Sequence, residues 1–292
     1  MTVDWQLVQQ ILVDKTGQKI GRLEASPVSG GDINRAWRLS DGRHQYFIKT
    51  NSPDRLAMFE AEMIGLNEIQ ASNSIRAPGP LACGIVDQQA FIVLEYLELS
   101  GRPDPVRLAQ QLASMHQCTQ DQYGFSVDNT IGSTAQVNSF NSDWIGFWQQ
   151  QRLGYQLSLA RTNGYGKELF DTGMRLNELV GHFFSDYTPL ASLLHGDLWS
   201  GNQGADSAGI PIIYDPACYY GDHEADLAMM ELFGGPGQRF FDAYDDLFAI
   251  DAGYYTRREL YNLYHILNHA NLFGASYVSQ AKQMIASLLA QV

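Results

Sequence analysis

The run Leu194-His195-Gly196-Asp197-Leu198-Trp199-Ser200-Gly201-Asn202, followed by Ile212-Ile213-Tyr214-Asp215, carries the residue types that phosphoryl transfer requires. That chemistry asks little covalent work of a protein. One carboxylate orients and deprotonates an acceptor hydroxyl, and oxygen ligands hold magnesium on the phosphates. Asp197 and Asn202 stand five residues apart, so one loop can present a base and a metal ligand to a single cleft. Asp215 closes an apolar stretch 13 residues later, and a hairpin return would bring it alongside as a second metal ligand. Asp, Ser, Gly and Asn are each ordinary turn residues. The His-Gly-Asp triplet, the spacing and the flanking apolar runs together lift this loop above a turn. His195 reads as a hydrogen-bonding support of the loop, and no spacing supports a metal site shared with His223.

The first hundred residues supply partners for the phosphates. Tyr46-Phe47-Ile48-Lys49 places a lysine at the end of an apolar strand, where it could pair the α- and β-phosphates. The carboxylate that anchors it should come from the next helix, where Glu60 and Glu62 compete. Glu62 is preferred because Met63-Ile64-Gly65-Leu66 follows it, and Glu60 stays open. Gly30 and Gly31, within Ser29-Gly30-Gly31-Asp32-Ile33-Asn34, form a plausible phosphate-covering turn, because glycines let backbone amides approach an anion. The same residues are also an ordinary hairpin. No P-loop pattern occurs anywhere. Leu94-Glu95-Tyr96-Leu97 ends the last strand of this part, so Glu95 and Leu97 are positioned to offer hinge backbone to an adenine.

The elements that must position these residues fall into two textures. A helix is expected over 2–13, with Thr2 as its cap. Period-two patterning over 22–29, 33–40 and 44–50 reads as strands, the last two joined by Asp41-Gly42. Residues 54–71 have helical spacing, and strands over 80–87 and 89–96 meet at Asp87-Gln88. Beyond residue 100 the pattern is helical over 105–117, 141–161, 164–185, 222–232, 236–248, 256–270 and 273–290, with a β-rich insertion at 191–215. The implied fold class is α+β: a β-rich N-lobe over 1–97, a mainly helical C-lobe over 98–292, and a cleft between them.

On Ser29 to Asn34, Met58-Phe59-Glu60-Ala61-Glu62, His195 to Asn202 and Asp215-Pro216-Ala217-Cys218-Tyr219-Tyr220-Gly221-Asp222-His223-Glu224-Ala225-Asp226, the chain resembles the fructosamine kinase (ketosamine-3-kinase) family. That family is a branch of the aminoglycoside phosphotransferase-like, protein-kinase-like folds. The resemblance implies ATP- and magnesium-dependent phosphorylation of the sugar 3-hydroxyl of ketoamines, free or on a glycated lysine, in protein deglycation or metabolite repair. It implies Asp197 as base, Asn202 and Asp215 as magnesium ligands, and Lys49 with Glu62 on the phosphates. Asp222 would support the site, and Trp199 would either line the sugar pocket or pack the loop. Glu224 and Asp226 open the next helix, where acidic residues favour the N-terminus, so a capping role is expected. Two departures matter. Asp32 stands where some members carry a cysteine, and Pro216-Ala217 replaces Phe-Gly after Asp215, so neither redox control through that turn nor a protein-kinase activation switch is expected.

Composition narrows the partners. The net charge of −13 argues against a nucleic-acid backbone. Residues 1–97 hold 9 basic and 11 acidic side chains, whereas 98–292 hold 10 and 21, an excess that suggests a cationic acceptor. No apolar run is long enough for a membrane helix. Three scattered cysteines, Cys83, Cys118 and Cys218, fit a reducing compartment, hence the cytoplasm. Two other readings share these residues: a kinase for an aminoglycoside, choline or homoserine, and a catalytically silent nucleotide-binding scaffold. The sequence leaves the oligomeric state open.

Overall fold

The computed structural model describes residues 3–28, 33–274 and 276–292. Strands β1 (Glu24–Val28), β2 (Arg35–Ser40), β3 (Gln45–Asn51), β4 (Pro80–Val86) and β5 (Gln89–Glu95) form one antiparallel sheet in the order β1-β2-β3-β5-β4. Asp87 and Gln88 join β4 to β5 with φ of 49° and 62°, the paired left-handed turn that suits a two-residue hairpin. Strand β5 is apolar on both faces because both are covered. Phe91 and Val93 pack with Val8 and Leu12 of helix α1 (Trp5–Thr16). Ile92 and Leu94 pack with Phe59, Leu66 and Ile69 of α2 (Leu56–Ala71).

Helix α1 differs in register from the expected 2–13. Asp4 caps it, accepting from the amides of Gln6 and Leu7, and Gly17 ends it with φ of 68°. Thr2, the expected cap, lies outside the described residues.

Helix α3 (Pro105–His116), capped by Asp104, opens the helical part. The expected single helix over 141–161 is broken into α4 (Trp144–Trp148), a π-turn over Gln149–Leu153 and α5 (Gly154–Thr162). The Gly154 amide donates to the Gln149 carbonyl, and a Cβ at Gly154 would lie 2.3 Å from that oxygen. Only glycine accommodates the wide turn. The turn buries Arg152, whose guanidinium lies 4.1 Å from the Tyr219 ring centroid and donates to Val137 O and Asn138 Oδ1 at 2.6 and 2.7 Å. The expected helix over 164–185 ends early, as α6 (Lys167–Glu178) followed by a 3-10 segment over Val180–Phe184.

Residues 119–136, unassigned by periodicity, contain β6 (Thr119–Gln120), β7 (Asn129–Ile131) and β8 (Thr134–Gln136), too short to show a pattern. Strand β9 (Ala191–Leu194) pairs with β6 and with β12 (Tyr219–Gly221), while β10 (Gln203–Ala205) pairs with β11 (Pro211–Ile213). The hairpin that returns Asp215 is therefore β10–β11, and β9 leads into the loop. Helices α7 (Glu224–Leu232), α8 (Gln238–Asp245), α9 (Tyr254–Phe273) and α10 (Ser276–Leu289) complete the helical part. No helix among the described residues is long and apolar enough to cross a membrane.

Candidate active site

The loop between β9 and β10 is built around a glycine. Gly196 has φ of 81°, and a Cβ there would lie 2.1 Å from the Ala217 carbonyl oxygen, so no other residue fits between His195 and Asp197. Buried His195 donates from Nε2 to Tyr214 O at 3.0 Å and accepts the Asp197 amide at Nδ1, 3.2 Å. Burial holds its imidazole below the ordinary pKa, against the pull of Asp226. A neutral ring with both nitrogens engaged is a brace for the loop.

The residue that holds the whole loop is Asp226, in the first turn of α7. Its Oδ2 accepts the His195 amide at 2.7 Å and His116 Nε2 at 3.2 Å, and its Oδ1 accepts the Gly196 amide at 2.8 Å. Burial would raise this carboxyl, but His116, His195 and the Gly196 amide hold it below the usual value. The expected capping role is thus corrected for both acids. Asp226 ties α7 to the loop, and buried Glu224 forms a two-bond pair with Arg257 at 2.7 and 2.9 Å.

Asn202 Nδ2 donates to Asp197 O at 2.8 Å and to Asp197 Oδ2 at 3.1 Å, which leaves its Oδ1 as a free oxygen. The Tyr214 amide donates to Asn202 O at 3.0 Å, so the hairpin return sets Asp215 against the loop. Asp215 has φ of 59°, a left-handed conformation uncommon outside glycine, and its side chain is 46% exposed. Burial and the neighbouring Asp215 carboxylate push Asp197 up to about 7, the Asn202 amide pulling the other way. That value suits a general base.

Lys49 on β3 reaches both acids. Its Nζ lies 2.6 Å from Glu62 Oε1 and 2.6 Å from Asp215 Oδ1. Burial pulls the ammonium down, but Asp215 and Glu62 outweigh it and hold Lys49 above its ordinary value, so it stays charged. Glu60 is exposed, which settles the competition in favour of Glu62 as the partner of Lys49. Two contacts pin α2 to the far side of the cleft. Gly65 packs on Cys218, where a Cβ would lie 3.1 Å from Sγ, and Tyr220 OH donates to Glu68 Oε1 at 2.6 Å. Tyr220→Phe is expected to cost about 1–2 kcal/mol in thermal unfolding and to raise KM for ATP a few-fold. A variant matching the wild type in both would mean that this bond does not hold α2.

Lys49, Glu62, Glu95, Leu97, Asp197, Trp199, Asn202 and Asp215 all line one cavity of about 970 Å³. The Glu95 carboxylate is committed to Arg76 and to the Gly79 amide. Trp199 is 38% exposed and its ring covers Gly201, so it both packs the loop and lines the cavity. Gly30 and Gly31 lie outside the described residues. Asp222, expected to support the site, is fully buried and is not among the residues that line the cavity; it accepts from Tyr187 OH, Tyr261 OH and the Glu224 amide. Its role is to start α7 and anchor α9.

The signature run after Asp215 therefore has structural roles at Cys218 under α2, Tyr220 on Glu68, Asp222 and Glu224 at the start of α7, and Asp226 under the loop. A family model for fructosamine kinase matches residues 4–291. The chain belongs to the fructosamine kinase family. A probable ketoamine kinase from Synechocystis is 43% identical, over 98% of this chain and 97% of that relative. A chloroplastic protein-ribulosamine 3-kinase from Arabidopsis thaliana is 42% identical, over 90% of this chain and 81% of its own length. A fructosamine-3-kinase candidate of known structure from Haemophilus somnus superposes with a TM-score of 0.89 at 28% identity, covering 98% of this chain and 97% of that one. The β-rich and helical parts form the two-lobed, protein-kinase-like arrangement that the sequence implies.

Within this fructosamine kinase site, the sequence reading had missed three features: Asp226, the Tyr220–Glu68 tie, and the β7–β8 hairpin, whose Asn129 to Gly132 line the cavity. For Asp226 a signal was available. An acid enclosed by Ala225, Leu227 and Ala228 must find a buried partner.

Proposed function

We propose that the protein is an ATP-dependent kinase that phosphorylates the sugar 3-hydroxyl of ketoamines, in protein deglycation or metabolite repair. The observation that carries this reading is the convergence of Asp197, Asn202, Asp215 and the Lys49–Glu62 pair on one cavity within a fructosamine kinase chain. Residues 1–97 would hold the nucleotide, with Glu95 and Leu97 at the adenine and Lys49 on the α- and β-phosphates. Residues 98–292 would supply the base and the acceptor site.

The donor set fits magnesium. Asn202 Oδ1 has no hydrogen-bond partner among the described residues, and Asp215 keeps one oxygen beyond Lys49, both hard ligands. No cluster of three or more His, Cys, Asp or Glu could hold a metal among the described residues. An ion that rides on nucleotide phosphates needs only one or two protein oxygens. Bound there, magnesium would neutralise charge on the transferring phosphoryl group. Asp197 orients the acceptor hydroxyl and takes its proton, and Lys49 fixes the phosphates in line. Cys83, Cys118 and Cys218 are free thiols, which supports a cytoplasmic setting.

The test is ATP consumption with magnesium and a panel of acceptors: ribulosyl-lysine, fructosyl-lysine, kanamycin, choline and homoserine. Turnover confined to the last three would keep the phosphoryl-transfer site and discard the ketoamine. Silence with every acceptor would favour the scaffold. Replacing Lys49 by Met is expected to lower kcat/KM for ATP by about 10²-fold, the scale of losing one preorganised charge on the phosphates. An unchanged value would remove Lys49 from the nucleotide site.

A further inference from the structure

The acid surplus after residue 97 suggests that acidic side chains meet a cationic acceptor, but they are not where the acceptor would sit. Beyond residue 97, the carboxylates that line the cavity among the described residues are Asp197 and Asp215. Both belong to the phosphoryl-transfer machinery. The remaining wall is aromatic. Trp199 meets Phe233 edge-on with centroids 6.1 Å apart, and Phe233 lies 5.4 Å from His269. His269 in turn lies 5.6 Å from Phe273 and 5.2 Å from Tyr277. All five line the cavity, and Phe233 and Phe273 are 43% and 55% exposed. The rings form a continuous track from two residues past Asp197, across the ends of α7 and α9, to the first turn of α10. His269 Nδ1 lies 2.7 Å from the His265 carbonyl oxygen, which can only accept, so Nδ1 donates to the backbone and fixes the ring in the track.

We propose that this track binds the amine half of the acceptor: the secondary ammonium and the hydrocarbon arm attached to it. The inference rests on the ketoamine reading of the site. In a ketoamine only three carbons separate the amine nitrogen from the 3-hydroxyl oxygen. With that oxygen at Asp197, the ammonium must come to rest beside Trp199, and its substituent must leave along the next wall. Ring faces attract a cation through their quadrupole, and they also take up the methylenes of an arm such as a lysine side chain. They offer nothing to an anion. The site therefore selects cationic amines with apolar arms over amines whose arm ends close by in a carboxylate.

Three acceptors with one sugar test this: the ketoamines of methylamine, of a lysine side chain in a blocked peptide, and of glycine. The wild type is expected to show the highest kcat/KM with the lysine arm and the lowest with glycine. Phe233→Leu and Phe273→Leu keep apolar bulk and lose the ring face. Each is expected to narrow the lysine-to-glycine ratio by about fivefold to tenfold through KM, whereas Phe233→Tyr keeps it. Phe273 is exposed enough that its variant tests the site without testing the fold. A ratio that is equal in all variants, or a change that is equal for all three acceptors, overturns the track while leaving ketoamine turnover intact. Absence of turnover with every ketoamine, together with turnover of another acceptor, overturns both this inference and the functional reading beneath it.

Discussion

Replacing Asp197 by Asn is expected to lower kcat by about 10³-fold and to leave ATP affinity within a few-fold, measured as turnover beside nucleotide binding. The substitution is nearly isosteric. An Asn at this position can still turn an oxygen toward Asn202 Nδ2, which now donates to Asp197 Oδ2 at 3.1 Å, so the loop keeps its shape. What is lost is the basic carboxylate that is proposed to take the hydroxyl proton. Lys49, Glu62, Asn202 and Asp215 are the proposed nucleotide end, and none depends on the charge of residue 197 for its place. The split between rate and binding is therefore the diagnostic. Loss of both, with a lowered melting temperature, would make Asp197 a structural residue of the loop and leave the base unassigned.

What the sequence made legible follows from how locally each feature is encoded. The loop from His195 to Asn202 is contiguous, and its glycine, its proposed base and its proposed ligand sit at fixed spacing, so chemistry and geometry are readable together. The sheet was legible because β1 to β3 carry period-two patterning and β4 and β5 are apolar runs that meet at the tight turn Asp87-Gln88. Long helices were found, but their ends and breaks were not. The π-turn before Gly154 depends on one backbone approach to Gln149 that periodicity cannot register. The aromatic track was invisible because it gathers Trp199, Phe233, His269 and Tyr277 from four separate stretches of chain. Glu224 and Asp226 were misplaced for a related reason. Sequence position put both at a helix N-terminus, where acids are usual on the surface, but α7 starts inside the protein and its acids are spent on buried partners.

That burial makes Asp226 the second site of large effect. Asp226→Asn leaves one oxygen where two served the amides of His195 and Gly196 and the ring of His116. The new amide NH₂ must face a donor, so at least one buried N–H loses its acceptor and His116 loses its anion. Taking a buried carboxylate away from the several buried donors it serves costs about 3–5 kcal/mol. For a chain of this size the melting temperature should fall by roughly 5–10 °C. Activity should fall further than stability explains, by about 10²-fold, because the same amides set the backbone that aims Asp197. The pH dependence gives the carboxylate an independent signature. Its folded pKa lies below the ordinary 3.8, so its share of stability is present above that pH and is lost as pH falls through the folded value. The gap in melting temperature between wild type and variant should be full near neutrality and close only in acid below that point. A constant gap would place the loss in packing, and a lowered melting temperature with unchanged kcat/KM would confine Asp226 to the fold.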